Sequence, residues 1–372
     1  MNESSLPPGA ATPRPRVVVG LSGGVDSSTA AALLQQQGYE VIGITLKLWP
    51  QDCLSRAEDK CCGPQAVADA RAVCHRLGIP FYLVDEAEDF RRQVIQYFAE
   101  EYRAGRTPNP CVLCNEKLKF GTLIERARQL GADNVATGHY ARKDQDPATG
   151  RWRLRRGRDP RRDQSYFLFS LRQEQLARAL FPLGDLLKTE TRDVARERRI
   201  KTAEKEESME ICFVPDNDYG KFLRQAGLVQ PHAGPIVDRS GRVLGQHEGI
   251  EFFTIGQRRG LRVAAPRPLY VVDLDPEQNR VVVGDAADLA CETFRLERCN
   301  WIAYENPPAG LEATAKIRYN HPGTPATVTP AADGSAHVRL HHAQRAVTPG
   351  QACVLYADDR VLGGGWIARG GG

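Results

Sequence analysis

Short apolar runs alternate with stretches of helical periodicity in the N-terminal half of the chain. Apolar, β-branched segments at Val17–Val19, Glu40–Leu48, Ile79–Asp85 and Val135–Tyr140 are typical of buried strands. Apolar residues recur at helical spacing in 29–37, 64–77, 89–103 and 186–199. This alternation predicts an α/β fold with a doubly wound parallel sheet, whose ligand would lie beyond the carboxyl ends of the strands.

The pattern changes near Pro215. From Gly234 to Gly284, short mixed segments are broken by turn sequences at 239–241 and 275–277, which are hairpin signals. From Cys291 onward, short segments at regular spacing predict a small closed β-barrel. We therefore divide the chain into a disordered tail (1–15), an α/β domain (16–213), a small central domain (214–287) and a β-barrel domain (288–370).

Composition narrows the class of protein. The chain has 372 residues, 41% hydrophobic and 26% charged, which is ordinary for a globular protein of two or three domains. No apolar run approaches the roughly 20 residues of a membrane helix, and the first residues lack the apolar core of a signal peptide, so we expect no membrane association and a cytoplasmic location. Thiols stay reduced there, and the 10 cysteines are expected to include catalytic or metal-binding thiols. The net charge of +4 does not by itself indicate a nucleic-acid partner.

A loop rich in glycine and serine, Ser-Gly-Gly-Val-Asp-Ser at 22–27, separates the first strand from the first helix. Backbone N–H groups and the positive end of the helix meet there, which suits a phosphate. It is not a Walker loop, because 20–37 contain no lysine, and its glycines do not fit the dinucleotide fingerprint. Ser22, Ser27 and Ser28 are expected to donate hydroxyl hydrogen bonds, and Asp26 to hold a hydrated Mg²⁺. A strand-to-helix turn capped by serine is the simpler alternative.

Two groups of cysteines lie in the first domain. The first group is Cys53, Cys61, Cys62 and Cys74. It contains no C-x-x-C pair, so ordinary thiols are expected and a zinc site is the alternative. Cys111 and Cys114 do form a C-x-x-C pair, just before a helix expected from Asn115. A helix start and nearby lysines predict a lowered pKa for these thiols, and half of a structural zinc site is the alternative.

Seven of the twelve residues from Arg151 to Arg162 are arginines, which fits either contacts with RNA phosphates or a solvated charged face. The loop 254–260 is similarly open to both interpretations. Five further polar or thiol residues have an ordinary structural interpretation when each is taken alone: His139, Cys212 in an apolar, strand-like segment (204–214), Arg318, Tyr319 and Gln351.

Eight motifs then agree in order and spacing: GLSGGVDSS, TPNPCVLCNEKLKF, ATGHYAR, RDQSYFLF, ESMEICFV, TIGQRRGL, KIRY and TPGQACVLY. The hexapeptide at 22–27 resembles the pyrophosphate loop of the ATP pyrophosphatases, which cleave ATP between its α and β phosphates. From Arg16 to Ala368 the chain resembles the tRNA-specific 2-thiouridylase family, enzymes that replace O2 of the wobble uridine with sulfur in tRNAs for Glu, Gln and Lys. The combination of motifs is specific, whereas the hexapeptide alone indicates only a superfamily.

The resemblance implies roles for individual residues. ATP would be bound by Gly20, Leu21, Ser22, Gly23, Gly24, Val25, Asp26, Ser27, Leu46 and Gly138. The tRNA would be contacted at the target base by Asn109, Pro110 and Cys111, and elsewhere by His139, Arg162, Asp163, Gln164, Arg318, Tyr319 and Gln351. Cys114 matches the family's nucleophile, and Cys212 the cysteine that carries a persulfide received from a sulfur carrier protein or a cysteine desulfurase. ATP and Mg²⁺ are the expected cofactors, and a monomer is expected.

Cys111 departs from the family pattern, since many members carry Asp there, an expected general base for activating the uridine. Cys111, Cys114 and Cys212 together are similar to the ligand set of iron–sulfur-dependent tRNA thiolases, in which three thiolates leave one iron of a [4Fe–4S] cluster open. A persulfide relay and a cluster mechanism therefore both stay open. A pyrophosphatase acting on a small metabolite would leave the cysteines unexplained, and a non-enzymatic tRNA-binding protein would leave the loop at 22–27 unexplained.

Overall fold

A computed structural model describes residues 14–48, 63–205 and 211–370 of the chain. Its strands are β1 (Arg16–Gly20), β2 (Glu40–Lys47), β3 (Phe81–Asp85), β4 (Asn134–Ala136), β5 (Ala141–Gln145), β6 (Trp152–Arg156), β7 (Ala179–Leu180), β8 (Gly234–Asp238), β9 (Val243–His247), β10 (Tyr270–Asp275), β11 (Arg280–Gly284), β12 (Ala290–Asn300), β13 (Leu311–Lys316), β14 (Thr324–Pro330), β15 (Ala336–Arg345), β16 (Ala352–Ala357) and β17 (Arg360–Ile367). Its α-helices are α1 (Val25–Gln36), α2 (Pro64–Leu77), α3 (Ala87–Phe90), α4 (Gln96–Arg103), α5 (Pro110–Leu113), α6 (Leu123–Gln129), α7 (Gln173–Arg178), α8 (Lys188–Glu197) and α9 (Tyr219–Gln225). Within these ranges no helix has the length and apolar character needed to cross a membrane.

The first sheet is parallel throughout, with strand order β3-β2-β1-β4-β7. Its central strand β1 is wholly buried at Val17–Val19, as the β-branched run predicted. Because β2 pairs with one side of β1 and β4 with the other, the chain reverses its direction of winding at β1. This confirms the predicted doubly wound fold, and such a reversal point is where open α/β sheets bind ligands.

The C-x-x-C segment lies inside a helix, so the prediction of a helix that begins only at Asn115 is wrong. Helix α5 begins at Pro110, and the chain continues as a π-helical stretch, Cys114–Thr122, into α6. Proline suits the first helical position because the N–H it lacks would have no partner within the helix. Cys111 and Cys114 are therefore three residues apart on one helix, where side chains of neighbouring turns lie on the same face.

Three other local predictions need correction. The strand predicted to reach Tyr140 ends at Ala136, where the chain turns toward the ligand edge of the sheet. The two-residue strand β7 was not predicted, because so short an apolar pair has no periodicity of its own. In the predicted strand 204–214, the described residues 204, 205 and 211–214 form turns and irregular backbone. Cys53, Cys61 and Cys62, expected to be ordinary thiols with a zinc site as the alternative, lie outside the described residues.

The central domain is a four-stranded sheet with order β10-β11-β8-β9. Strands β8 and β9 form one antiparallel hairpin, and β10 and β11 form another. The sequence predicted both hairpins from their turn residues. The two hairpins join through a parallel pairing of β11 with β8, which buries a small core of its own around Ile236, Val271 and Val281.

The C-terminal domain is a closed six-stranded antiparallel barrel, as predicted. Its strands follow the order β12-β15-β14-β13-β16-β17, and β12 pairs with β17 to close the ring. The hairpin β5–β6, although it comes from the first domain in sequence, extends this sheet through pairing of β6 with β17. The α/β domain and the barrel are therefore joined by main-chain hydrogen bonds as well as by side-chain packing.

Several arginines of the basic stretch 151–162 have partners inside the fold. Arg153 makes a bidentate ion pair with Asp144, with nitrogen–oxygen distances of 2.6 and 2.8 Å. Arg158 pairs with Glu190 at 3.0 Å, and Arg151 donates to the carbonyl oxygen of Ile302 at 3.3 Å. These contacts hold the β5–β6 hairpin against its neighbours, so arginine content alone does not mark this stretch as an RNA surface.

Candidate active site

A cavity of about 280 Å³ opens at the carboxyl edge of the parallel sheet, at the point where the winding reverses. Seven of the ten predicted ATP-binding residues line it: Gly20, Leu21, Ser22, Asp26, Ser27, Leu46 and Gly138. Gly23, Gly24 and Val25 do not, and the Val25 side chain is buried in the core beneath α1. The cavity wall also includes apolar side chains from Ile44, Leu48, Leu118 and Leu123, which suit the flat face of a purine.

The loop after β1 presents hydroxyl groups and the start of α1 to this cavity. The backbone N–H of Ser22 donates to Ser27 Oγ at 3.1 Å, and the two serine hydroxyls lie 3.2 Å apart. The positive end of α1 begins at Val25, directly beside them. Ser28, which was expected to contact the anion, is wholly buried and donates to Gly24 O at 2.8 Å instead. The loop thus offers two hydroxyls and a helix N-terminus to a phosphate.

Gly138 allows the end of β4 to approach α1 closely. A Cβ atom at this position would lie 2.6 Å from the backbone nitrogen of Ser27 and 2.7 Å from the carbonyl carbon of Asp26. Both are main-chain atoms, so they cannot move aside as a flexible side chain could. The requirement for glycine at 138 therefore has a steric basis, because any larger residue would displace the first turn of α1, and ATP binding by Gly138 stays a prediction.

Asp26 lies on the cavity wall and bonds to two residues from outside the loop. Its Oδ1 accepts hydrogen bonds from Lys188 Nζ at 2.6 Å and from the Tyr140 hydroxyl at 2.8 Å. Sequence reasoning missed Lys188, since it lies 162 residues away and begins an ordinary charged helix. Mg²⁺ commonly takes one or two carboxylates and completes its shell with phosphate oxygens. Asp26 provides one such carboxylate, so the site fits a Mg²⁺ ion held jointly with a nucleotide.

A second lysine, Lys205, contacts the backbone of the loop at 22–27. Lys205 Nζ donates to Gly23 O at 3.3 Å and to Asp69 Oδ2 at 2.8 Å. Burial opposes ionisation of Asp69, but hydrogen bonds from Lys205 and Gln65 outweigh it, and the pKa of Asp69 is lowered. Lys205 was also missed by sequence reasoning. Its charge lies close to the loop that is expected to receive pyrophosphate.

His139 lines the same cavity but is a neutral residue. Its Nδ1 lies 2.6 Å from the Thr137 hydroxyl, and its ring packs near Phe120 and Phe181. Burial, with a smaller contribution from the Lys119 cation, lowers the pKa of His139 well below 6.5. It therefore carries no charge at neutral pH, while Lys119, also on the cavity wall, supplies a positive charge there.

The two cysteines expected to transfer sulfur belong to one hydrophobic cluster. Cys114 is 9% exposed and lines the cavity, and Cys212 is half-buried against the same cluster, next to Phe213. Cys111, half-buried, lies one helical turn before Cys114. Within the described ranges no three His, Cys, Asp or Glu side chains form a group able to hold a metal ion. Cys74 is buried, and burial raises the pKa of its thiol to about 12, which fits an ordinary core residue.

Three of the residues predicted to contact tRNA, Asn109, Arg318 and Tyr319, lie around Tyr166. Asn109 hydrogen-bonds to Tyr166, and the Tyr319 ring lies 5.9 Å from it and 4.5 Å from Phe167. This packing brings the stretch 162–164 together with Arg318 and Tyr319 of the barrel. Asp163 is buried and accepts from the backbone N–H groups of 157 and 165, and Arg318 is exposed.

The side chains of two predicted tRNA-contacting residues, Gln164 and Gln351, make hydrogen bonds to the protein backbone. Gln164 lines the cavity, and its Oε1 accepts from the backbone N–H of Tyr140 at 3.1 Å. Gln351 lies in a barrel loop, and its Nε2 donates to Thr107 O at 3.0 Å and to Pro108 O at 3.2 Å. Gln164 therefore bonds to the segment that borders the cavity at 137–139, whereas Gln351 bonds to the chain just before α5.

A doubly wound sheet with a phosphate loop at its reversal point, followed by a small β domain and a closed barrel, defines a nucleotide-binding protein with the ATP pyrophosphatase fold. A family model described as the tRNA methyl transferase HUP domain matches residues 15–216, more than half of the chain. Models described as a tRNA methyl transferase PRC-barrel domain and an aminomethyltransferase β-barrel domain match residues 220–285 and 291–367. The chain belongs to the family of tRNA-specific 2-thiouridylase MnmA, as the following relatives show.

The protein of that name from Acidobacterium capsulatum is 50% identical over 367 residues, covering 94% of this chain and 98% of the relative. The one from Geotalea uraniireducens is 51% identical over 358 residues, covering 95% of each chain. Among solved structures, a 4-thiouridine synthetase–RNA complex with bound ATP is 18% identical over 57% of this chain and 50% of that chain, with a TM-score of 0.37. A glutamine-dependent NAD⁺ synthetase from Acinetobacter baumannii, bound to ADP, has a TM-score of 0.31 at 13% identity over 53% of this chain and 33% of that one. Structural likenesses this weak establish no function.

Proposed function

We propose that this chain is an ATP-dependent tRNA uridine 2-sulfurtransferase that acts on the wobble uridine of tRNAs for Glu, Gln and Lys. One observation carries the proposal: a single cavity is lined both by the phosphate loop and by Cys114, and Cys212 packs into the cluster that contains Cys114. A phosphate site and two neighbouring thiols are what the activation of a base and its thiolation require. The membership of the family supports the same activity.

The first step is activation of the base. Uridine O2 attacks the α phosphorus of ATP, the bond from that phosphorus to the bridging oxygen breaks, and pyrophosphate leaves while the N3 proton passes to a base or to solvent. Ser22, Ser27 and the start of α1 receive the departing charge, and Lys188 lies beside them. A Mg²⁺ ion on Asp26 would add charge stabilisation. The adenylated oxygen is then a good leaving group.

The second step transfers sulfur. A cysteine desulfurase or a sulfur carrier protein delivers a persulfide to Cys212, and its terminal sulfur attacks C2 of the base and expels AMP. Cys114 thiolate then attacks Cys212 Sγ, so that the sulfur bound to C2 leaves with the electron pair as 2-thiouridine and a Cys114–Cys212 disulfide forms. An external thiol reductant restores both thiols. The shared cluster of the two cysteines supports this relay.

A [4Fe–4S] cluster on Cys111, Cys114 and Cys212 is the alternative source of sulfur. Since no three metal-binding side chains are grouped in the part of the chain that the structure describes, we derive no step through a cluster. The two mechanisms require proteins of different composition, because only the cluster mechanism needs iron and acid-labile sulfide in the active protein. Iron and acid-labile sulfide, measured per chain in protein purified without oxygen, therefore discriminate between them if thiolation activity is measured on the same samples.

The function is tested with wild-type protein and Cys212→Ser, given ATP, Mg²⁺, a cysteine desulfurase with cysteine, and unmodified tRNA. Wild-type protein is expected to release pyrophosphate and form 2-thiouridine, measured by mass spectrometry of digested tRNA. Cys212→Ser is expected to release pyrophosphate in one turnover and to form no 2-thiouridine. Cys291→Ser is the matched control, because Cys291 lies on the barrel strand β12 and bonds only to Thr293 O in the described structure.

Three results would contradict the proposal in different ways. Pyrophosphate release that does not depend on tRNA would indicate a pyrophosphatase acting on another substrate. Binding of tRNA without ATP cleavage would indicate a non-enzymatic RNA-binding protein. Thiolation by Cys212→Ser at the wild-type rate would show that another thiol carries the sulfur. Full thiolation activity in iron-free protein would support the persulfide relay. Thiolation activity that rises and falls with the content of iron–sulfur cluster would instead support the cluster mechanism.

A further inference from the structure

The segment that leads to the predicted base-contacting residues has no regular secondary structure of its own up to Asn109, and Pro110 and Cys111 then begin α5. Residues 104–109 connect the end of α4 to the start of α5, and 106–109 lack helical or strand hydrogen bonds. Pro108 and Pro110 have no N–H group, so this segment cannot be fixed by a ladder of backbone bonds. Its position depends on the helices at its two ends, on the bonds from Arg106 to Glu101 of α4, and on contacts with other parts of the molecule. We call residues 106–109 the base-contact segment.

A loop of the barrel, residues 348–351, supplies those contacts. The backbone N–H of Thr107 donates to Pro349 O at 2.8 Å. The Gln351 amide donates to Thr107 O at 3.0 Å and to Pro108 O at 3.2 Å. At Gly350, which has a φ of +86°, a Cβ atom would lie 2.9 Å from Arg106 Cβ and 3.0 Å from Thr107 N. The barrel loop therefore holds the base-contact segment by three hydrogen bonds and close backbone packing.

The barrel loop is itself fixed by the barrel. The backbone N–H of Gln351 donates to Thr348 O at 3.2 Å, and Gln351 O accepts from the N–H of Ile367 at 2.9 Å. Ile367 is the last residue of β17 and is 2% exposed. Gln351 thus links a buried barrel strand directly to the segment that leads to Asn109 and Cys111.

This geometry limits what else the Gln351 side chain can contact. Its amide nitrogen, the donor of the side chain, lies within hydrogen-bond distance of two main-chain carbonyl oxygens of the base-contact segment. Only the amide oxygen is left, and it is an acceptor, as are the oxygens of an RNA phosphate. Gln351 is therefore poorly suited to donating to a tRNA phosphate, while its amide oxygen can still accept from a 2′-hydroxyl, so the tRNA contact that the family resemblance implied is compatible with a structural role.

We propose that Gln351 is a positioning residue, which fixes the base-contact segment and with it Asn109 at the start of α5, and makes the barrel part of the catalytic geometry. The activity readout of this inference rests on the function proposed above, whereas the geometry does not. Loss of the two amide hydrogen bonds would loosen the base-contact segment, although the bond from Thr107 N–H to Pro349 O would remain. Activation of the base would then slow, while the exposed groups that bind tRNA would stay in place.

The test compares Gln351→Met, which keeps the length of the side chain and removes both donors, with Gln278→Met, the same change in the exposed β10–β11 turn. Hydrogen–deuterium exchange of the peptide 104–113 is measured without ATP or tRNA. We expect exchange of the Thr107 amide to become about tenfold faster in Gln351→Met and to stay unchanged in Gln278→Met. Gln351→Glu, which also lacks the two donors, is expected to give the same increase.

The same variants are then assayed for tRNA-dependent pyrophosphate release. Gln351→Met is expected to lower kcat by about tenfold or more while the KM for tRNA changes by less than about twofold, because the reacting groups are misplaced and not removed. Arg318→Met, in contrast, is expected to raise the KM for tRNA without changing exchange at Thr107.

The outcomes separate the two proposals. Unchanged exchange at Thr107, with a higher KM for tRNA, would overturn the inference and make Gln351 an RNA contact. Faster exchange at Thr107 in a protein whose wild type shows no tRNA-dependent activity would support the positioning and overturn only the function. Faster exchange throughout the barrel in both Gln351 variants would mean that Gln351 stabilises the whole domain, which would also overturn the inference.

Discussion

Lys188 provides the most direct test of the candidate ATP site. The loop at 22–27 contains no lysine, and the fold brings one to it from α8, with Nζ 2.6 Å from Asp26 Oδ1. The side chain of Lys188 is 11% exposed and that of Asp26 is 25% exposed, so their ion pair is largely shielded from water. The perturbation is Lys188→Met, which keeps the unbranched chain and removes the charge.

Two magnitudes follow from this geometry. Breaking a fully buried ion pair costs about 3–5 kcal/mol. Asp26 faces the cavity and keeps its bond from the Tyr140 hydroxyl at 2.8 Å, so we expect the free energy of unfolding to fall by only about 1–2 kcal/mol. In catalysis, loss of one preorganised donor to a developing charge costs about 10²–10³-fold in rate. The effect on pyrophosphate release should therefore be far larger than the effect on stability.

The assay is single-turnover pyrophosphate release with saturating tRNA, together with urea unfolding of each variant. Lys188→Met, Asp26→Asn and the double variant form a cycle that measures the coupling between the two side chains. We expect a coupling of about 1–3 kcal/mol in stability, since the residues are in direct contact. Lys221→Met, an exposed lysine on α9 paired with Asp216, is the matched control and should leave the rate of pyrophosphate release unchanged. A wild-type rate for Lys188→Met would refute the assignment of Lys188 to the phosphate site.

Two further changes test the steric and titration arguments. Gly138→Ala is expected to abolish pyrophosphate release and to lower the free energy of unfolding by about 1–3 kcal/mol. The reason is that the new Cβ atom would lie 2.6 Å from Ser27 N. Normal ATP cleavage by this variant would contradict the steric argument. Burial lowers the pKa values of His139, His247 and His321 below 6.5. Below that pH the unfolded chain takes up protons that the native protein excludes. The contribution of these histidines to the free energy of unfolding is therefore fully present above pH 6.5. It is lost as the pH is lowered, by at most about 1.4 kcal/mol per pH unit for each histidine. Urea unfolding at several pH values measures this, and His139→Asn should reduce the slope; equal slopes would contradict the role of His139.

Several parts of the fold could be predicted because they depend on neighbours in sequence. The β-branched run at Val17–Val19, followed by glycines and a helical pattern, is enough to place a strand, a phosphate loop and a helix in order. The closed barrel was predicted for the same reason, since alternation and turn residues are local signals. One local prediction was wrong. Pro110 begins α5, whereas the sequence pattern predicted the helix start at Asn115, after both cysteines.

The tertiary structure decided which side chains meet. Asp26 and Lys188 are separated by 162 residues, and Gln351 and Thr107 by 244, and no periodicity or spacing records such pairs. The structure also placed the β5–β6 hairpin on the barrel and gave three of its arginines, Arg142, Arg153 and Arg155, acidic partners within the fold. The physical reason is that strand order and domain packing depend on which apolar faces are buried against each other. The sequence determined the elements and the chemical groups, and the packing of those elements determined the site.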